Sequence, residues 1–335
     1  MKTLTTLFVA IILFAAQFLN AQSSAGGYKV IKTISVEGNG GWDYLTVDQP
    51  TQRLFISHGT CVDVLDLKTE KVIGQIPNTP GVHGIAVVPA LNKGFITAGR
   101  IDSVVVFDLK TLNVTDKVNT GKNPDAILYD AYSNRIFTFN GRSNSVTAID
   151  AKTNKVVGTL PVSGKPEAAV SNGKGKIYCN IEDKSTVVKF DAKTLKLDAE
   201  WPLEPGKEPS GLALDIKNNR LFSACSESKQ IVVMDAASGK VIATLPMGEG
   251  CDGIIFIPAD HNAVSSNGEG TLTVAHQDGP DSYKVIQTVP TRERARSITY
   301  DETTKCIYLP SAEATMENGK RKVTPGSFKI VVVSK

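Results

Sequence analysis

The fold is decided by a short stretch that recurs along the chain, an apolar run followed by an Asp and a Lys-Thr-like turn. It first reads Val64-Leu65-Asp66-Leu67-Lys68-Thr69, and its later copies are centred on Asp108, Asp150, Asp191 and Asp235. Successive Asp residues of the series are 42, 42, 41 and 44 positions apart. A period near 42 residues is typical of a β-propeller blade built from four strands.

A second short strand is predicted in each period. Examples are Leu54-Phe55-Ile56, Arg135-Ile136-Phe137 and Lys176-Ile177-Tyr178, which are rich in aromatic and β-branched residues. Gly, Pro, Asn and Asp fill the positions between strands, and a helical period of 3.6 is absent. The sequence therefore predicts an all-β protein.

The innermost strand of each repeat gives the number of blades. Seven such strands begin at Trp42-Asp43, Val82-His83, Pro124-Asp125, Pro166-Glu167, Pro209-Ser210, Cys251-Asp252 and Ala295-Arg296. The last repeat carries an insertion near residues 310–327 and lacks an outermost strand, whereas residues 28–34 form an unassigned one. We predict a seven-bladed β-propeller whose ring is closed by the N-terminal strand, which completes the last blade and removes the open sheet edge.

The N-terminal segment has the pattern of a secretory signal peptide. Lys2 precedes the apolar run of residues 7–16, and small Ala21 stands before the expected cleavage point. The run is shorter than the roughly 20 residues that a membrane span needs, and no Cys follows it closely enough to accept a lipid. We expect residues 1–21 to be removed and residues 22–335 to form one periplasmic or secreted domain, a monomer with no stable membrane insertion.

Composition excludes several classes of protein. The 335 residues are 41% hydrophobic and 21% charged, which is ordinary for a globular protein and unlike a disordered chain or a coiled coil. The net charge is +3, and removing residues 1–21, with one Lys and no acid, leaves +2. A nucleic-acid-binding role is disfavoured, because it usually shows as a strong basic excess. The five cysteines are odd in number and dispersed, which argues against a disulfide scaffold.

Three kinds of segment resemble a known repeat family. They are Val146-Thr147-Ala148-Ile149-Asp150 with the Lys-Thr turn that follows, Ile177-Tyr178-Cys179-Asn180, and Gly121-Lys122-Asn123-Pro124. On these motifs the chain resembles the YVTN-type (YncE-like) β-propeller repeat family over essentially all of residues 22–335. The resemblance implies a propeller scaffold, and it implies no single activity, since such scaffolds have varied roles.

The repeated Asp residues of the turns are interpreted as structural. Each stands at the end of a strand, where an Asp side chain accepts hydrogen bonds from backbone amides two residues further on. Five blades carry one each, so these carboxylates are not expected to form a common site.

The strongest candidate site lies on the face where the innermost strands begin. The ring positions that start these strands surround the mouth of the central channel: Asp43, His83, Asp125, Glu167, Ser210, Asp252 and Arg296. Loops joining second and third strands emerge on the same face and carry Arg100 and Arg142, whose guanidinium groups suit carboxylate or phosphate. We predict that these nine residues bind a ligand; the alternative is a polar lining of a water-filled channel. His58, in the first of these loops, is a weaker candidate.

Two functions remain open from the sequence. The first is an exported binding scaffold that recognises a polar small molecule, a polymer or a protein through the channel mouth. The second is a lactonase-like hydrolase or metal-dependent enzyme, with His83 as base and Glu167 or Asp252 as its partner. No cofactor is predicted, although Asp43, His83 and Asp125 have the residue types to hold a divalent cation. The sequence favours binding, because nucleophile motifs, phosphate loops and the H-E-x-x-H zinc motif are missing.

Overall fold

A computed structural model describes residues 26–38, 40–317 and 320–335. The predicted signal peptide, residues 1–21, lies outside this part of the chain. Within it the protein forms 30 β-strands and three short 3-10 turns (Pro89–Leu91, Gly99–Ile101 and Glu182–Lys184), with no α-helix. The described residues include no helix that is long and apolar enough to cross a membrane.

Six blades follow the chain in order, each a four-stranded antiparallel sheet. Blades one to three contain β2 (Trp42–Asp48), β3 (Arg53–His58), β4 (Cys61–Asp66), β5 (Lys71–Ile76); β6 (Val82–Val88), β7 (Lys93–Ala98), β8 (Ser103–Asp108), β9 (Val114–Asn119); β10 (Pro124–Asp130), β11 (Arg135–Asn140), β12 (Ser145–Asp150), β13 (Val156–Pro161). Blades four to six contain β14 (Pro166–Ser171), β15 (Lys176–Ile181), β16 (Thr186–Asp191), β17 (Leu197–Pro202); β18 (Pro209–Asp215), β19 (Arg220–Cys225), β20 (Gln230–Asp235), β21 (Val241–Pro246); β22 (Cys251–Ile257), β23 (Asn262–Asn267), β24 (Thr271–Gly279), β25 (Ser282–Pro290).

The seventh sheet joins the two ends of the described chain. Its strand order is β1 (Lys29–Ser35), β30 (Lys329–Ser334), β27 (Cys306–Ser311) and β26 (Thr299–Asp301). The insertion forms a separate hairpin, β28 (Ala314–Glu317) and β29 (Lys320–Val323). The predicted all-β, seven-bladed propeller is confirmed. That β1 closes the ring stays a prediction.

The hydrophobic core is divided among the interfaces between blades. Buried side chains of the described residues form seven clusters, and each cluster contains residues from two successive blades. Close approach of the innermost strands requires small residues: a Cβ added at Gly84 would lie 2.8 Å from Ile127 Cγ2, and one at Gly211 would lie 2.9 Å from the Ile254 nitrogen. These glycines therefore let neighbouring blades pack around a narrow channel.

The repeated Asp residues have the structural role that the sequence predicts. Asp150 Oδ1 accepts hydrogen bonds from the Thr153 amide (2.7 Å) and the Thr153 hydroxyl (2.9 Å). The backbone bond holds the pKa of the Asp150 carboxyl below its usual value. Corresponding bonds fix the turns after Asp66, Asp108, Asp191 and Asp235.

Candidate ligand site at the channel mouth

Three ring positions from successive blades meet at one imidazole. The Nδ1–H of His83 donates to Asp43 Oδ2 at 2.6 Å, and the same nitrogen lies 3.5 Å from Asp125 Oδ1. One donor atom from each of these residues lies within 4.8 Å of the other two. An imidazole and two carboxylates at this spacing can hold a divalent cation or a ligand's cationic group.

A local irregularity of the strands positions these side chains. In six blades the ladder between the innermost and second strands shifts register just after the first residue of the innermost strand, as at Trp42/Leu45, Val82/Ile85 and Pro124/Ile127. A bulge of this kind re-aims a side chain at the rim of a sheet. The start of β2 is held further, because the Asp43 amide donates to Ser57 Oγ at 2.7 Å.

Two further ring acids and their ion-pair partners complete the mouth. Glu167 is buried, and the ammonium of Lys165 lies 2.6 Å from its Oε1 and also pairs with Glu182. Arg296 Nε lies 3.2 Å from Asp252 Oδ2, and the Arg296 side chain is about half exposed. The site thus places acids inside the mouth and cations at its edge.

Burial raises the pKa of three of these acids. Burial and the neighbouring charge of Asp43 raise the pKa of Asp125 to about 6. Burial and the charge of Asp125 raise the pKa of Glu167 to about 8, although Lys165 opposes the shift. Burial also raises the pKa of Asp252 to about 6 against the effect of Arg296. Ionised carboxylates this close together are costly in a poorly solvated channel, so the mouth favours a bound proton or cation.

The pKa of His83 is also raised, but here burial opposes the shift. Desolvation alone would lower its pKa, but the bond to Asp43 and the charge of Asp125 outweigh desolvation, and the pKa is raised.

Below the mouth, a cavity of about 180 Å³ is bordered by Tyr44, Ala168, Gly211 and Asp252. Burial and the charge of Glu167 raise the pKa of the Tyr44 hydroxyl, which therefore stays neutral at physiological pH.

The other predicted ligand residues are placed less favourably. Ser210 is buried, and its hydroxyl donates to the Cys251 carbonyl at 2.8 Å, so it bonds the next blade. Arg100 and Arg142 are exposed, and within the described ranges neither guanidinium bonds to a ring position. Arg100 borders a second cavity, which also contains His58.

Lys165 and Glu182 were missed by sequence reasoning, and Tyr44 was not predicted as a ligand-site residue. The segment Gly164-Lys165-Pro166-Glu167 places a Lys two residues before a ring position, which is a readable signal. Glu182 belongs to a 3-10 turn after β15, and its proximity to Lys165 depends on the fold of that turn. Tyr44 follows a ring position directly, but the bulge that orients it leaves no mark in the sequence.

Fold and site together define a seven-bladed β-propeller with an acidic, histidine-containing channel mouth. No family model and no curated protein matches the sequence, so the resemblance to the YVTN-type family stays a prediction. Solved structures do match the fold. One chain, from the crystal structure of a mitotic checkpoint complex, has a TM-score of 0.77 and 12% identity, and the match covers 99% of this chain and 99% of that chain. At that identity the likeness shows the fold alone.

Proposed function

We propose that the chain is an exported binding propeller that recognises a polar ligand, or a polar group on a polymer or protein, through its channel mouth. The observation that carries the proposal is the position of His83 Nδ1, 2.6 Å from Asp43 and 3.5 Å from Asp125. Three residues from three blades converge there, whereas a simple solvent lining would not need such convergence. Export rests on the predicted signal peptide.

The charges of the mouth favour a cationic group at its centre. Asp125, Glu167 and Asp252 all have raised pKa values because they are buried near other acids. A positively charged group, either a divalent cation or a ligand ammonium, relieves this repulsion on binding. Lys165 and Arg296 at the edge are suited to an anionic or hydroxyl group of the same ligand. The proposed ligand class is therefore polar, with its cationic part innermost.

Calorimetric titration tests this proposal. We expect residues 22–335 to bind at least one of Ca²⁺, Mn²⁺, spermidine or a Lys-containing peptide, and Asp43→Asn to weaken that binding at least about tenfold, or about 1.4 kcal/mol. The matched control is Asp150→Asn, which removes one carboxylate from a turn and should leave affinity unchanged. Equal affinity in wild type and Asp43→Asn, or no binding of any of these probes, contradicts the proposed cation-binding mouth.

One observation favours a second function, hydrolysis of lactones. Asp43 holds the imidazole of His83 through Nδ1, which is how a carboxylate orients a general base. The other ring nitrogen would take a proton from water as it attacks the lactone carbonyl. Glu167, with a pKa of about 8, would protonate the departing ring oxygen at neutral pH. Asp252 would bind the metal ion if the enzyme requires one.

A pH-stat assay with γ- and δ-lactones separates the two functions. If the chain is a hydrolase, His83→Ala should lower kcat/KM at least about 100-fold, since a positioned base contributes about that much. His276→Ala is the control, because this imidazole bonds Asn262 at 2.8 Å and does not contact a ring position. Wild-type protein that releases no acid, or equal rates in wild type and His83→Ala, would rule out this mechanism.

A further inference from the structure

A second cluster of metal-ligating side chains lies at the end of the β3–β4 hairpin. His58 is the last residue of β3, and Cys61, the first residue of β4, pairs with it across the two-residue turn. Asp63 lies two positions further along β4, so it projects from the same face as Cys61. The hairpin register therefore brings an imidazole, a thiol and a carboxylate together.

The distances within this cluster are short. His58 Nδ1 lies 2.7 Å from Asp63 Oδ2, and one donor atom of each of the three residues lies within 4.8 Å of the others. The Zn–N, Zn–O and Zn–S lengths of 2.0–2.3 Å imply that tetrahedral ligand atoms are about 3.3–3.8 Å apart. Gln75 Nε2 donates to Asp63 Oδ1 at 2.9 Å and holds this carboxylate in place.

An independent observation is that one ring nitrogen of His58 lacks a hydrogen-bond partner. His58 is only 5% exposed, and its Nε2 is buried without a hydrogen-bond partner among the described residues. A buried polar atom without a partner is costly, and native proteins usually satisfy such atoms. Because Nδ1 already bonds Asp63, Nε2 is the nitrogen left for a metal, and Asp63 then orients the imidazole from its other side, as carboxylates commonly do for metal-binding histidines.

Ligands can reach the cluster through a neighbouring cavity. This cavity, of about 370 Å³, is bordered by His58, Cys61, Gln75, Arg100 and the glycine-rich turn that follows β1. Gly38 has a φ of +127°, and a Cβ there would lie 2.5 Å from His58 Cε1. Only glycine therefore fits over the imidazole, and the turn packs against it while leaving the cavity open.

We propose that His58, through Nε2, and Cys61 hold a zinc ion at a site separate from the channel mouth, and that Asp63 orients the imidazole. Nitrogen and sulfur donors select Zn²⁺ over Ca²⁺ or Mg²⁺, which prefer oxygen ligands only. The site does not depend on the proposed function, because it uses none of the ring positions.

Cobalt substitution tests the site in the full mature chain. Co²⁺ should bind with a near-ultraviolet sulfur-to-cobalt charge-transfer band, and Zn²⁺ should abolish the band by displacement. Cys61→Ser should lose the band and at least 100-fold in zinc affinity. Cys306→Ser, which removes another partly exposed thiol, should keep both. Asp43→Asn should keep the sulfur-to-cobalt band, because that band reports the Cys61 thiolate alone, and this distinguishes the site from the channel mouth.

A second measurement covers the case in which Cys61→Ser fails to fold. In wild-type protein, Zn²⁺ should protect Cys61 from alkylation at least tenfold while leaving Cys306 reactive, as read by peptide mass spectrometry. His58→Gln should abolish this protection. A wild-type chain without the cobalt band, or equal alkylation of Cys61 with and without Zn²⁺, overturns the proposal.

Discussion

Ile34→Asp is expected to lower the free energy of unfolding by about 3 kcal/mol or more, whereas Ile31→Asp should change it by less than about 0.5 kcal/mol. Both residues belong to β1, but Ile34 is 7% exposed and Ile31 is 45% exposed. Ile34 packs in the cluster that joins the seventh blade to the first, with Trp42 and Phe328. An unpaired carboxylate there loses apolar burial and is itself desolvated.

The difference in unfolding free energy between Ile34→Asp and Ile31→Asp tests whether β1 completes the ring. β1 pairs with β30 from Lys29↔Ser334 to Ser35↔Lys329, so an N-terminal strand holds a C-terminal one. Urea unfolding followed by tryptophan fluorescence measures both variants, since Trp42 stacks on Phe328 at 5.8 Å in this interface. Similar stabilities for the two variants would show that β1 contributes little. Removing residues 26–36 and adding them back as a peptide should restore the cooperative transition.

Most of the architecture could be predicted because the repeat is a local pattern. Each Asp-centred turn fixes its own hairpin through bonds within three residues, so the 42-residue period appears directly in the sequence. Even the sixth repeat, which has Ala275-His276 in place of an Ile-Asp pair, keeps its strand, and β24 is longer there. The strand β24 therefore forms and pairs even though the sixth repeat lacks the Asp of the turn.

The candidate site was predicted only in outline. The alternation of strands identifies which loops share a face, and this placed His83 between Asp43 and Asp125. It does not identify which side chains bond a neighbouring blade, and Ser210 does so. His58 was predicted only as a weaker candidate, and its contacts with Cys61 and Asp63 were missed because they depend on cross-strand register and on the glycine turn that packs against the imidazole. Such contacts depend on backbone geometry that periodicity does not encode.

The free energy of unfolding should fall by at least about 2 kcal/mol between pH 5 and pH 8 in the absence of divalent cations. Asp125, Glu167 and Asp252 have pKa values of about 6, 8 and 6 in the folded protein, above the values near 4 of an unfolded chain. Groups with raised pKa values hold protons more tightly when folded. Their stabilising contribution is complete below the unfolded pKa and is lost as pH rises through the folded pKa. His83, whose pKa is also raised, acts in the same direction.

The slope and its control follow from proton linkage. Each extra proton bound by the folded state gives a slope of about 1.4 kcal/mol per pH unit. Partial titration of the mouth acids between pH 5 and pH 8 is therefore enough to produce the expected loss of unfolding free energy. The variant Asp125→Asn/Glu167→Gln/Asp252→Asn should flatten the profile measured by urea unfolding. The control variant Asp108→Asn/Asp150→Asn/Asp191→Asn removes the same number of carboxylates. The pKa values of these three groups are lowered, so they affect the free energy of unfolding only below about pH 4. The slope between pH 5 and pH 8 should therefore remain in this variant. A wild-type profile already as flat as that of the mouth variant would mean that the mouth acids are not strained by burial, and the argument for a bound cation would lose its electrostatic basis.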